Sequence, residues 1–354
     1  MSPLRARTGS TAAADGEEGL GAIASEGMET WERFECFACA CAVLVAGDAS
    51  DGTQAREAAA DAREALLEWH ARFSRFLPDS ELSRFNRDPR DTVPTSPLMA
   101  RLALAVREAG AATRGLVDAT QLAAIERAGY SEHLDAVDQL TLARALALAP
   151  ERRAAAPSEL ALWKLIEVDF ERLAVSRPPG VTIDSGGLAK GLFADVLGEQ
   201  LAGHARFAVD CGGDLRLGGA AGTLRQVHVR SPFDESVLHT FELSRGGVAT
   251  SGISRRSWID GERRPAHHLL DPSSGRPAFT GVVQATALAP TALEAEVKAK
   301  AAVLSGPRHA RGWLTHGGVV VFEDRSREVV APPPEVNVEQ LAGMLPRGLA
   351  GPRR

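Results

Sequence analysis

Apolar residues recur at two different spacings along this chain, and the change of spacing separates a helix-rich first half from a strand-rich second half. Residues 34–47 open with a run of β type, F-E-C-F-A-C-A-C-A-V-L-V-A-G. Over residues 54–76, Ala58, Ala62, Leu66, Trp69, Phe73 and Phe76 fall three or four apart, the stripe of an amphipathic helix that Pro78 ends. Leu98, Leu102, Ala105 and Ala109 mark a second helix over residues 97–113, and G-L-V-D-A-T at 115–120 reads as a turn. Residues 132–157 are rich in alanine and leucine and predict helix, then a linker. Residues 166–170 and 173–176 predict a hairpin that leads into a strand at 181–183.

Strand patterns dominate later in the chain, at residues 207–210, 227–230, 240–243, 248–250 and 282–288, with another resuming at Leu215. W-I-D-G-E-R at 258–263 carries the Asp-Gly signal of a tight hairpin, and residues 267–277 read as a polar loop. A helix is predicted over 291–304 and a closing strand over 319–322, before Pro332, Pro333 and Pro334 mark the end of the fold. Helices and strands mix without regular alternation and nothing repeats. The expected class is therefore α+β, with mixed, mostly antiparallel sheets and packed helices.

The stretch that organises this pattern is V-T-I-D-S-G-G-L-A-K-G, residues 181–191, which reads as strand, tight turn and helix. Asp184 and Ser185 are N-cap residue types, and Leu188, Leu192 and Val196 follow at helical spacing. Gly186 and Gly187 permit close approach, and Lys190 adds a full charge to the partial positive charge of a helix start. Such a turn is a candidate anion site; the alternative is a capped helix with a solvated lysine. Two further segments hold suggestive polar residues. C-G-G-D at 211–214 is either a site turn or a plain β-turn, and His267 and His268 offer a titratable base in what is otherwise a surface loop.

Composition narrows the function classes. The 354 residues, 44% hydrophobic and 24% charged, are those of a globular protein. With 40 basic and 46 acidic residues the formal charge is −6, so neither nucleic acid nor an acidic membrane surface is an expected partner. No apolar run reaches the length of a membrane span, and the first residues lack the basic and apolar regions of a signal peptide, so a cytoplasmic location is expected. Residues 1–30 are expected to form a disordered arm, 31–330 the folded domain and 331–354 a Pro-rich tail. Cys36, Cys39 and Cys41 resemble a metal cluster, but on one continuous strand Cys36 points away from the other two, and buried small apolar roles are expected instead.

Taken together and in order, six segments resemble the FAD:protein FMN transferases, the ApbE-type flavin transferases, over roughly residues 33–322. They are F-S-R-F-L-P-D-S-E-L-S-R-F-N, G-L-V-D-A-T, P-P-G-V-T-I-D-S-G-G-L-A-K-G, A-V-D-C-G-G-D-L-R, A-T-S-G with H-H-L-L-D-P-S-S-G-R-P, and A-L-A-P-T-A-L-E-A-E. The resemblance implies an ApbE-like fold and transfer of the FMN half of FAD to a Thr or Ser hydroxyl of a target protein, with release of AMP. A FAD carrier or sensor that has lost transfer, or a FAD pyrophosphatase, are the alternatives. Transfer needs a flavin pocket, a cation at the diphosphate and a base for the hydroxyl.

By the same resemblance His268 is the candidate base, and Phe37, Phe76, Leu116, Val117, Asp118, Asp184, Lys190 and Leu270 fall at FAD contacts. Gly187 falls where a residue helps to hold Mg²⁺. Two positions depart from the family's pattern. Phe37, Ala38 and Cys39 stand where Met-Gly-Thr is usual in the first strand. Glu296 and Lys300 stand where the metal helix has an aspartate and a threonine, and Ala299 where some members have a second carboxylate. Glu296 and Lys300, four apart, are expected either to form a surface ion pair or to place an ammonium where it takes over part of the metal's role.

Overall fold

A single antiparallel sheet of eight strands forms the frame, and its spatial order is its chain order. The computed structural model describes residues 20–21, 29–47, 52–131, 140–220 and 222–333. Numbering only the strands of this sheet, β1 is Glu29–Cys36, β2 Cys39–Ala46, β3 Arg206–Cys211, β4 Asp214–Gly218, β5 Gly246–Gly252, β6 Val282–Ala289, β7 Gly318–Phe322 and β8 Arg327–Val330. The α+β, mostly antiparallel architecture expected from the sequence is the one observed. Every residue of β6 is buried, so both faces of the sheet are covered at its centre, and this strand shows no polar alternation.

The helices are α1 (Gly52–Phe73), α2 (Glu81–Arg87), α3 (Pro97–Ala112), α4 (Leu122–Arg127), α5 (Leu142–Leu148), α6 (Ala189–Gln200), α7 (Ala292–Ser305) and α8 (Ala310–Trp313). The apolar stripe of α1 packs on β1 and β2, while α6 lies on β3 and β4 and α7 on β5 and β6. A reciprocal clamp ties α6 to α7. The Asp195 carboxylate of α6 accepts the N–H groups of Ala292 and Leu293, at 2.8 and 2.9 Å, at the start of α7. Glu296 Oε2 of α7 accepts the Gly191 N–H, at 2.9 Å, at the start of α6. Each helix thus supplies an anion to the positive end of the other. A side chain at position 191 would meet Ala292 O and Leu293 Cα at 2.8 Å, which is why this position is glycine.

The structure corrects several expectations. The β-type run over 34–47 is a hairpin, with Phe37 and Ala38 as the turn at φ 55° and 52°. No glycine or asparagine marks this left-handed turn; packing holds it instead, the Phe37 ring lying 5.1 Å from His70 and 5.8 Å from Phe193. The reversal also changes the cysteines. Cys36 pairs directly with Cys39, so Cys36, Cys39 and Cys41 share one face, and Cys41 pairs with Cys211 on β3. Cys36, Cys41 and Cys211 are buried and all four thiols are free, as small core residues are; among the described residues no group of His, Cys, Asp and Glu is arranged to hold a metal ion.

Residues 181–183 are extended but belong to no sheet. Asn86 stands in for the neighbouring strand, accepting from Ile183 N–H and donating to Ile183 O, each at 2.8 Å. The edge of the sheet is β8, not the strand at 319–322, and α1 ends at Phe73, which leaves Phe76 in the following turn. Of the residues predicted as helix and linker, 132–139 lie outside the described residues, and α5 and an extended run follow. Most of the expected N-terminal arm and of the C-terminal tail also lies outside; within the arm, Leu20–Gly21 pairs with Val227 and Gln226, and Glu29 and Thr30 open β1.

Because Ala38 sits in the left-handed region, Ala38→Gly is expected to stabilise the protein by about 0.5–1 kcal/mol, the relief of strain exceeding the added chain entropy. A urea midpoint that stays put or falls would show that the turn is unstrained.

Candidate functional site

The 184–191 turn, the 115–120 turn, the end of α1, the β1–β2 hairpin and the 267–270 segment converge on two adjoining cavities, one larger than the other. The larger has an aromatic wall that includes Phe37, Phe73, Phe76, Tyr130 and Phe193. The smaller is lined by Leu116, Val117, Asp118, Leu270 and Pro272, among others. Ile125, Asp184, Gly187, His268, Leu269 and Lys300 line both and form the waist between them. Every residue that the family resemblance assigns to the base, FAD or the metal therefore lines a cavity, with one exception: Glu296 lies behind Lys300, with no exposed surface.

Asp184 caps a short 3₁₀ turn, Ser185–Gly187, accepting the Gly186 N–H at 3.2 Å. Ser185 is not a cap; its hydroxyl donates to Phe73 O at 2.7 Å and fastens the turn to α1. The Asp184 N–H donates to Ala119 O at 2.8 Å, and Gly187 packs on Ala119, which joins the two turns. Asp118 is held by its own turn, its Oδ1 accepting from Thr120 N–H at 2.8 Å. Lys190 is not solvated. It projects into the larger cavity and donates to Asp214 Oδ2 at 2.5 Å. Burial opposes its charge, but Asp214 and then Glu296 outweigh it and raise the lysine's pKa. The C-G-G-D turn thus has a specific task, for it delivers Asp214 to Lys190 through Gly212 and Gly213, both at positive φ.

The two histidines part as adjacent residues on extended backbone do. His267 is fully buried, its ring 4.7 Å from Phe279 at a near-perpendicular angle, and burial lowers its pKa to about 3. His268 lines the waist and has no hydrogen-bond partner among the described residues, its Nδ1 being buried. Burial first, then the charges of Arg256, Lys300 and Lys190, push its pKa well below 6.5, so the imidazole is neutral at pH 7.

Glu296 and Lys300 are not a surface pair. Lys300 Nζ meets Glu296 Oε1 at 2.6 Å with side-chain exposures of 9% and 0%, because α7 crosses the middle of the sheet. Burial pushes the Glu296 carboxyl up against the pull of Lys300. The positions that the family resemblance assigns to Mg²⁺ do not fit that ion. A hard cation of this size takes six oxygens in near-octahedral array. Here Gly187 can offer only its backbone carbonyl, the carboxylate is occupied on one oxygen by Lys300 and on the other by Gly191 N–H, and an ammonium has no lone pair.

Two cationic residues of the site escaped the sequence reading. Arg256 lines the larger cavity, donates to Phe37 O at 3.0 Å and has no carboxylate partner among the described residues. Arg75 lies over the rings of Phe76 and Tyr130, at 4.3 and 4.7 Å, and faces Asp184 at 3.5 Å. Arg256 stands outside the quoted segments; Arg75 lies within F-S-R-F-L-P-D-S-E-L-S-R-F-N, where its place beside Phe76 was the signal.

Residues 38–322 match the ApbE family. Among curated relatives, FAD:protein FMN transferase of Escherichia coli (strain K12) is 27% identical over 270 residues, covering 74% of this chain and 73% of the relative. The Haemophilus influenzae enzyme of the same name is 27% identical over 290 residues, covering 78% and 76%. Among solved structures, the ApbE protein of Thermotoga maritima superposes with a TM-score of 0.68 at 22% identity, over 89% of this chain and 99% of that one. Flavin transferase ApbE of Vibrio cholerae gives 0.66 at 20% identity, over 86% and 97%. These two likenesses show the fold.

Proposed function

The chain belongs to the ApbE family, and we propose that it transfers the FMN half of FAD to a Thr or Ser hydroxyl of a target protein, releasing AMP. The two-lobed cavity, with Lys300 at its waist and two further cations beside it, carries this reading. A dinucleotide has two ring systems joined by a diphosphate, and here two lobes flank a waist that holds Lys300 and His268, with Lys190 and Arg256 beside it. Phe37 and Phe76 offer flat walls to one ring system, and Leu116, Val117, Asp118 and Leu270 bound the other lobe.

In the reaction the hydroxyl oxygen of the target attacks the FMN phosphorus. The bond from that phosphorus to the bridging oxygen breaks, and AMP leaves with the oxygen. The hydroxyl proton passes to His268, which is neutral, unpartnered and at the waist. The diphosphate itself offsets the field of Arg256, Lys300 and Lys190, so the base strengthens when FAD is bound. Mg²⁺, where a member of the family uses it, supplies Lewis-acid stabilisation of the diphosphate; the donor set of this chain is a poor match for it. A cytoplasmic location accords with four free thiols, and among the described residues no helix is long and apolar enough to cross a membrane.

Incubating the protein with FAD and a peptide bearing a candidate acceptor threonine is expected to yield AMP and covalently fluorescent peptide. Free FMN with AMP would identify a pyrophosphatase, and intact bound FAD without AMP a carrier.

A further inference from the structure

We propose that Lys300, held by Glu296, is a built-in cation for the diphosphate, so that this protein binds FAD without a divalent ion. The inference rests on reading the cavity as a FAD site. Three observations carry it. First, Lys300 lines both lobes, so its ammonium stands at the waist that the middle of a linear two-ring ligand must cross. Second, the carboxylate that would have to bind a metal is already committed. Glu296 Oε1 holds the Lys300 ammonium at 2.6 Å, and Oε2 holds the Gly191 N–H at 2.9 Å.

Third, the ammonium keeps donors to spare. One of its three N–H groups goes to Glu296 and none of the others has a partner among the described residues, which leaves two for phosphate oxygens. Lys190 is built the same way, anchored by Asp214, with no partner among the described residues for its remaining donors. The cavity therefore presents two anchored ammonium groups and the Arg256 guanidinium to an anion of charge about −2, each able to form charge-assisted hydrogen bonds. Anchoring matters because a free lysine would lose rotamer entropy on binding, whereas these have lost it in folding. A charge of +1 polarises the scissile phosphate less than one of +2, so binding is preserved more fully than turnover.

The test is FAD titration of the full chain by flavin fluorescence quenching, with excess EDTA and with added MgCl₂. Equal affinity in both conditions is expected. Lys300→Thr is expected to weaken FAD by about ten- to a hundredfold. Because that variant leaves Glu296 buried and unpaired, Glu296→Gln/Lys300→Met, with two neutral groups of similar size, is measured beside it and is expected to lose as much affinity while its circular dichroism stays native. Lys300→Arg, which keeps the charge, is expected to retain most of the affinity. Glu296→Asp/Lys300→Thr is expected to bind FAD more tightly with MgCl₂ than with EDTA. Wild-type binding that collapses in EDTA and returns with MgCl₂ overturns the proposal, as does a neutral double variant of undiminished affinity. Absence of FAD binding in both conditions overturns the FAD reading itself, and the two failures are thereby distinct.

Discussion

Replacing His268 with alanine is expected to leave FAD bound and to slow FMN transfer by about 10²–10⁴-fold, the usual contribution of a general base. The imidazole lies at the waist, has no partner among the described residues, and is kept neutral by burial and by the surrounding cations. Its pKa in the free protein lies well below 6.5, so the acid limb of kcat/KM is expected below that pH. Bound diphosphate offsets the cations, so the limb of kcat should sit at higher pH than the limb of kcat/KM, and both should vanish in His268→Ala. His267→Ala, by contrast, removes a core side chain packed on Phe279 and should lower stability while both acid limbs persist, because His268 remains. If His268→Ala transfers FMN at the wild-type rate, the base is another group.

The other large effect is expected at Lys190. In Lys190→Met the Asp214 carboxylate stays buried with neither oxygen paired, since Oδ2 loses its ammonium and Oδ1 has no partner among the described residues. Breaking a buried pair on one side costs about 3–5 kcal/mol. Urea unfolding of wild type and variant at neutral pH reads this cost directly. FAD affinity should fall by about ten- to a hundredfold, because a donor is lost and an uncompensated carboxylate remains. Lys190→Met/Asp214→Asn should recover most of the stability and little of the affinity. A single-variant deficit under about 1 kcal/mol would place the pair in solvent.

The expectations that survived rest on local chemistry. The helices over 52–73, 97–112 and 292–305 show in apolar spacing and caps, with Ser96 and Thr291 at the N-cap positions of the latter two. The hairpin at 257–267 shows in its Asp-Gly turn. Where prediction missed, the deciding contact lay far off in the chain. The turn at Phe37 and Ala38 is held by His70, Phe193 and Arg256, none of them within 30 residues. The extended run at 181–183 reads as a strand, but its partner is the side chain of Asn86.

The sequence by itself determined the helix and strand content and, through six ordered segments, the family and a set of candidate residues that, Glu296 apart, line the two adjoining cavities. These are properties of neighbouring residues, which periodicity, turn chemistry and word-like motifs report. Only the tertiary structure decided what the charges do. Spacing alone makes Glu296 and Lys300 a solvated pair; the crossing of α7 over the central strands buries them, and with them their energetics. Lys190 became a paired group because a turn 24 residues onward delivers Asp214, and Arg256 joined the cavity without any motif to mark it. Burial and charge pairing depend on what the folded chain places nearby, and a linear pattern carries that only where the partners are neighbours.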